Sequence, residues 1–366
     1  MKRIDLSIEQ VTASAYRIPT DGPEADGTLA WNETTLVLVD ASGGGKKGLG
    51  YTYADASLVP LINGKLCETV KGLDALDPNS CWTAMQRAVR NLGRVGLAAM
   101  AISAVETALW DLKAKLLDLP LVSLFGAVRA EVPIYGSGGF TNYSDDRLRK
   151  QLGDWVERDG CRWVKMKIGS EPGRDLQRVE AARSAIGKAG LFVDANGAYS
   201  RKQALAFAED FASLDVLWFE EPVSSDDLKG LRLLRDRAPG GMDIASGEYG
   251  FDLVYFERML EAGAVDVLQA DITRCGGLTA FLMVDALCQA HQIDLSAHCA
   301  PALHLHAACA ASRLRHIEWF HDHARIEHML FDGVPRPAGG SIRPDLSGPG
   351  LGVEFKRQDA QRFAVR

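Results

Sequence analysis

The chain has no CxxC pair, no apolar run longer than the stretch Leu97 to Val105, and no excess of positive charge. Each absence removes a class of function. Seven cysteines, at 67, 81, 161, 275, 288, 299 and 309, form an odd set with mostly apolar neighbours. That pattern predicts buried thiols in a reducing compartment, not a disulfide framework. The apolar run is too short to span a bilayer. The opening MKRIDLSIEQ lacks the apolar core of a signal peptide, so a cytoplasmic protein is expected. A net charge of −7 argues against nucleic acid and against anionic membranes as partners. Two nucleotide or hydrolase signatures are missing as well. In GGGKKGLG, Gly43 to Gly50, no Ser or Thr follows the lysines, and a hairpin turn is the expected reading. The run Tyr135 to Gly139, YGSGG, fits neither a dinucleotide-binding turn nor a nucleophile elbow.

What is present is a packed globular chain of 366 residues with 47% hydrophobic and 24% charged side chains, enough for one large barrel with an attached domain. Its first part reads as strands (TTLVLV, Thr34 to Val39) followed by a helix from Gly96 to Leu117, the order of an α+β domain. From Val132 apolar strand candidates alternate with helical stretches. They are Val132–Ser137, Arg162–Ile168, Leu191–Asp194, Val216–Glu220, Met242–Ser246, Val265–Asp271, Ile293–Ala297 and His316–Phe320. Ser200 caps a helix over Arg201–Ser213, and Leu176–Lys188 is stopped at Gly190. The expected fold class is therefore α/β, a TIM-type barrel behind an N-terminal α+β domain. The expected divisions are 1–125, 126–335 and a Gly- and Pro-rich segment, 336–366, that returns to the first domain.

Six ionisable residues punctuate the barrel: Lys167, Asp194, Glu220, Glu248, Asp271 and His298. The gaps between them are 27, 26, 28, 23 and 27 residues. That is the length of one strand, one helix and two short loops, so the spacing predicts a ring at the mouth formed by the strand C-termini. Asp194, Glu220 and Glu248 end three consecutive strands. One such acid alone is ordinarily a helix cap, but three converging carboxylates repel one another without a cation, and hard oxygen ligands suit Mg²⁺. Glu221 reads as a supporting acid behind them. Lys165 and Lys167, two apart on one strand, face the same way, and two close ammonium groups depress each other's pKa towards that of a base. Asp271 and His298 end adjacent strands, where the carboxylate orients the imidazole. Glu318 ends the eighth strand, where a protonated carboxyl would donate a hydrogen bond to a substrate oxygen. The other histidines read as structural, with His304 and His306 on a helix and His321 and His323 on a polar loop.

The segments GCRWVKMKIG, LFVDANGAY, WFEEP, ASGEYGF, QADITRCGG and LSAHCAP, in this order, resemble the enolase superfamily and, within it, the mandelate racemase subgroup. SAVETALWDLKAKLLDLPLVSLFG and PGLGVEF are similar to the family's capping-domain exit and C-terminal return. The resemblance implies a (β/α)₇β barrel with a capping domain, and Mg²⁺ held by Asp194, Glu220 and Glu248. It implies Lys167 as the base on one face of the substrate, and His298, paired with Asp271, on the other. By the same resemblance Lys165 steadies the substrate carboxylate or enolate and Glu318 the other carboxylate oxygen. Relatives with a lysine on the sixth strand differ here, because no lysine occurs from Ala264 to His298. The expected substrate is a small carboxylate, an acid sugar, and the expected assembly a homo-oligomer, dimer or octamer.

A proton α to a carboxylate is weakly acidic because its removal places two negative charges on the carboxylate oxygens; a cation and an ammonium group at those oxygens stabilise the charge as it develops. If the β carbon carries a hydroxyl, the enolate expels water; otherwise it is reprotonated on the other face. Dehydration of an acid sugar is the favoured expectation, racemisation or epimerisation the alternative, and a non-catalytic binder of sugar acid or metal the third reading. Pro19–Trp31 and the region of Tyr51 to Tyr53 read as a lid, with Glu24, Trp31 and Tyr53 as candidates to reach a ligand.

Overall fold

Apolar residues alternate with polar ones along the first strands, and in the computed structural model, which describes residues 6–365, they build an antiparallel sheet. Its strands are β1 (Ile8–Ala25), β2 (Ala30–Gly43) and β3 (Lys46–Tyr53), in that order. One face of the sheet lies against the helix Leu97–Leu116, which is buried along most of its length. Only Gly44 and Gly45 make the β2–β3 turn. The expectation of one glycine-rich turn from Gly43 to Gly50 is therefore too broad. Gly48 and Gly50 stand within β3 because the helix backbone touches it. A Cβ there would lie 2.1 Å from Ala108 O and 2.2 Å from Ala104 O, respectively.

Eight parallel strands follow, β4 (Val132–Gly138), β5 (Trp163–Lys167), β6 (Gly190–Asp194), β7 (Val216–Glu220), β8 (Asp243–Ser246), β9 (Val267–Ala270), β10 (Asp294–Ala297) and β11 (Leu314–Phe320). Each pairs with the next, and β11 pairs with β4, so the sheet closes. A helix follows every strand, including His321–Leu330 after β11, where the sequence reading expected a polar loop. That helix starts immediately after Phe320, with Asp322 favourably placed in its first turn.

Strand alternation divides the barrel residues into two sets. Val164, Met166, Leu191, Val193, Phe219, Ile244 and Leu268 belong to the large core shared with the helices. Tyr135, Phe192, Trp218, Ala245 and Val267 form a separate cluster that fills the barrel floor. Two residues further along the same strands, Ser137, Asp194 and Glu220 occupy the same face one layer higher, at the mouth. After the barrel, Ser341–Ile342 pairs antiparallel with β4. The chain then reaches the first domain again, where Val365 N donates to Ala15 O and Leu351 N to Asp111 Oδ1. No helix of the described residues is long and apolar enough to cross a membrane.

Candidate active site

The ring inferred from spacing lies at one end of the barrel. Asp194, Glu220 and Glu248 are buried, and each offers a carboxylate oxygen within 4.8 Å of the other two. Their backbones are in register, with Lys167 opposite Asp194 and Asp194 opposite Glu220. Trp218 Nε1, on the floor beneath, donates to Glu220 Oε2 at 2.9 Å and fixes that carboxylate. Lys167 Nζ stands 2.5 Å from Asp194 Oδ2, and His298 Nε2 stands 3.1 Å from Glu248 Oε2. The amine and the imidazole thus adjoin opposite members of the acid triad. His298 Nδ1 meets Asp271 Oδ2 at 2.8 Å, the predicted pairing. His304 Nε2 accepts from Ile272 N and helps fix the loop that carries Asp271.

Six carboxylates, those of Asp194, Glu220, Glu221, Glu248, Asp271 and Glu318, are buried here beside Lys165, Lys167 and Arg274. Negative charge is in excess by three before His298 is counted, and the excess shows in the acids. Burial and Asp194 push Glu220 up to about 8, against the pull of Lys165. Burial, with Glu248, raises Glu221 as well. Burial also works against ionisation of Glu248, but His298, Arg274 and Lys167 together outweigh it and hold that carboxyl well below the usual range. A hard divalent cation among three buried carboxylates would offset this excess, and the all-oxygen donor set suits Mg²⁺.

Two chemical expectations need correction. Burial and Lys165 both lower Lys167, the latter as two close ammonium groups must. The surrounding carboxylates of Asp194, Glu248 and Glu220 together reverse the net effect, so its pKa is raised. Lys165 likewise has Glu220 Oε1 at 2.5 Å and Glu318 Oε1 at 2.9 Å and is raised well above the ordinary value. Carboxylates from neighbouring strands interleave with the ammonium groups, which spacing along one strand cannot reveal. Nor is Glu318 a protonated donor. Burial opposes its charge, but Lys165 and His298 hold it ionised. It accepts from Ser137 Oγ at 2.6 Å and from Cys299 N at 3.0 Å.

A cavity of about 430 Å³ opens above the ring between barrel and cap. Lys167, Asp271, His298 and Glu318 line it, as does Glu248; Lys165, Asp194 and Glu220 lie beneath its wall. Trp31 and Tyr53 reach it from the cap, whereas Glu24 is fully buried behind it and accepts from Trp31 Nε1 at 2.8 Å. The cap closes tightly, since a Cβ on Gly27 would lie 2.2 Å from Ala195 O.

Sequence reading did not single out Asn196, Arg274, Cys299 or His323, which also line the cavity. Cys299 Sγ is 3.2 Å from His298 Nε2. His323 stacks on Tyr53 with ring centroids 3.5 Å apart and accepts from Ala300 N, and burial pushes its pKa down to about 3. Two signals were available for two of them, the position of Asn196 two residues after Asp194 and of Cys299 beside His298.

Residues 147–360 match the family model described as enolase C-terminal domain-like, and residues 11–126 that of the mandelate racemase/muconate lactonizing enzyme N-terminal domain. The chain is 33% identical, over 96% of its length and 98% of the relative's, to a 3,6-anhydro-alpha-L-galactonate cycloisomerase of Streptomyces coelicolor. It superposes with a TM-score of 0.96 and 56% identity on a mandelate racemase/muconate lactonizing enzyme-like protein from Rubrobacter xylanophilus, covering 98% of this chain and 100% of the other. It superposes with a TM-score of 0.88 and 29% identity on L-talarate/galactarate dehydratase from Salmonella typhimurium LT2 liganded with Mg and L-lyxarohydroxamate, covering 98% and 93%. A capped, closed barrel carrying an acid triad between a lysine and a histidine, and matched along nearly its whole length, belongs to the enolase superfamily, in its mandelate racemase/muconate lactonizing enzyme family.

Proposed function

We propose that the protein abstracts the α-proton of a sugar acid in an Mg²⁺-dependent reaction and then eliminates an oxygen leaving group from the β carbon. Elimination of water, giving a 2-keto-3-deoxy acid after tautomerisation, is the favoured outcome. One observation carries the reading: Lys167 and His298 adjoin opposite members of the triad Asp194, Glu220 and Glu248 and line one cavity. Relatives that are a sugar-acid cycloisomerase and a dehydratase with bound Mg support it.

Asp194, Glu220 and Glu248 are the residues that would hold Mg²⁺, which supplies positive charge against the substrate carboxylate as the enolate forms. Asp194 is shared between this position and Lys167. Once its charge is committed elsewhere, the lysine loses the partner that keeps it cationic and its amine is available as the base. Lys165, anchored between Glu220 and Glu318, keeps a fixed positive charge behind the site. In the ligand-free site burial disfavours an imidazolium, but Cys299, Glu248, Glu318 and Asp271 outweigh it and raise the His298 pKa. A protonated His298, oriented through Nδ1 by Asp271, delivers its Nε2 proton to the departing oxygen. When the β carbon has no leaving group, the same proton returned to the α carbon inverts it, and the product is the epimer.

The test is incubation of the purified protein with Mg²⁺ and a library of sugar acids in heavy water. Keto-acid formation is expected, and Lys167→Ala or His298→Asn abolishes it. Product with unchanged keto-acid content but α-deuterium identifies epimerisation. No keto-acid and no exchange with any acid overturns the reading.

A further inference from the structure

The cavity has two unlike walls. The barrel wall carries its cationic and imidazole groups, Lys167, Arg274, His298 and His323. Besides the Tyr53 phenol, the cap wall carries three ionisable side chains, Asp26, Glu33 and Asp55, all carboxylic. Among the described residues no Lys, Arg or His of the cap lines the cavity. Arg17, at the rim, is paired with Glu33 at 3.2 Å, and both side chains are about half exposed. On the barrel wall, Arg274 is not a spare cation. Its guanidinium lies 3.6 Å from both Glu248 and Asp271 and donates to Glu248 O at 3.1 Å. His323 is neutral, because Ala300 N donates to its Nδ1 and burial pushes its pKa down to about 3.

Positive charge therefore serves only the reacting end of a substrate. The remaining surface offers acceptors and neutral groups. Besides Glu248 Oε2 of the acid triad, two buried polar atoms of its lining have no hydrogen-bond partner, Tyr53 OH on the cap and Asn196 Oδ1 on the barrel. An orphaned buried hydroxyl or amide oxygen is costly unless a ligand completes it. The amide oxygen of Asn196 and the cap carboxylates accept from O–H donors and repel a carboxylate, while Tyr53 OH both donates and accepts.

Resting on the enolate-forming reading above, we infer that the substrate is a monocarboxylate sugar acid of the aldonate type: its hydroxyls meet Asn196 near the triad and Tyr53 and the acidic wall on the cap, and a second terminal carboxylate is rejected.

The experiment measures kcat/KM for the wild-type protein with Mg²⁺ across the stereoisomeric pentonates and hexonates and the matching pentarates and hexarates. The best monoacid is expected to exceed every diacid by about 10-fold or more, since a second carboxylate would face like charge on the cap wall with no unpaired cation beside it. A diacid turned over as fast as the best monoacid, or faster, overturns the inference and leaves the proton-abstraction reading standing. No turnover and no α-deuterium exchange with either class overturns that reading, and this inference with it. Glu33→Lys gives a second, independent measurement. Placing a cation on the cap wall is expected to raise the diacid-to-monoacid ratio of kcat/KM about 10-fold, an effect that shrinks as salt rises. An unchanged ratio overturns the electrostatic basis of the selection.

Discussion

The barrel interior contains two layers built by the same strands with opposite chemistry. On the floor, Phe192 stacks on Trp218 with centroids 5.1 Å apart, and Tyr135 meets His316 edge-on at 4.7 Å. Two residues further along, the same strands end in Asp194, Glu220, Ser137 and Glu318. A step of about 6.6 Å along a strand thus separates packed rings from side chains left with excess charge. The two histidines make the contrast sharpest. On the floor, burial and Arg315 push His316 down to about 3, whereas at the mouth the acids around His298 raise it. The floor serves stability and also orients the mouth, through Trp218 Nε1 on Glu220 and Tyr135 beneath Lys165.

If the layers divide labour in this way, variants of each should fail differently. Lys167→Ala and His298→Asn should lower kcat by about 10⁴-fold or more, with a thermal midpoint within a few degrees of wild type in Mg²⁺. A variant that keeps a tenth of the wild-type rate breaks the assignment. Phe192→Ala on the floor should instead destabilise the protein by about 3–5 kcal/mol through the cavity it leaves, read by urea unfolding. Next comes the metal. Mg²⁺ at about 100 times its Kd should add about 2.7 kcal/mol of stability to the wild type and far less to Asp194→Asn. A thermal scan that shows the same shift for both would place the ion elsewhere.

A smaller effect follows from His316. Its folded pKa lies below the unfolded value, so the stability it contributes is complete above about pH 6.5 and is lost as pH falls towards its folded value of about 3. Relative to His316→Gln, the wild type should lose about 1.4 kcal/mol per pH unit between pH 6 and 4. Parallel unfolding curves for the two proteins would refute the neutral floor histidine. The smallest effect joins the layers. Trp218→Phe keeps the stack but removes the hydrogen bond to Glu220, and Mg²⁺ affinity measured by calorimetry should fall about fivefold, about 1 kcal/mol.

Much of this was legible in the chain. The repeated interval from Lys167 to His298 predicted the ring, because one β/α unit has a nearly fixed length and strand ends are equivalent places. The eight strand segments were legible because apolar runs bounded by turn residues persist in a barrel buried on both faces. The charge states of Lys167 and Glu318 were not, since each depends on partners carried by other strands of the barrel. Nor was the contribution of His323, which depends on a barrel helix meeting the cap strand that carries Tyr53.

By itself, the sequence determined which residue types recur, at what period, and therefore the barrel, its ring of ionisable groups and the family. Local backbone geometry and hydrophobic alternation are written residue by residue, so they survive in one dimension. Tertiary structure alone decided which acid neutralises which lysine, which polar atoms are left unpartnered, and that the cap meets the cavity with negative charge. Those properties are sums over groups brought together by folding, and Coulomb interactions and desolvation depend on distances that chain order does not contain.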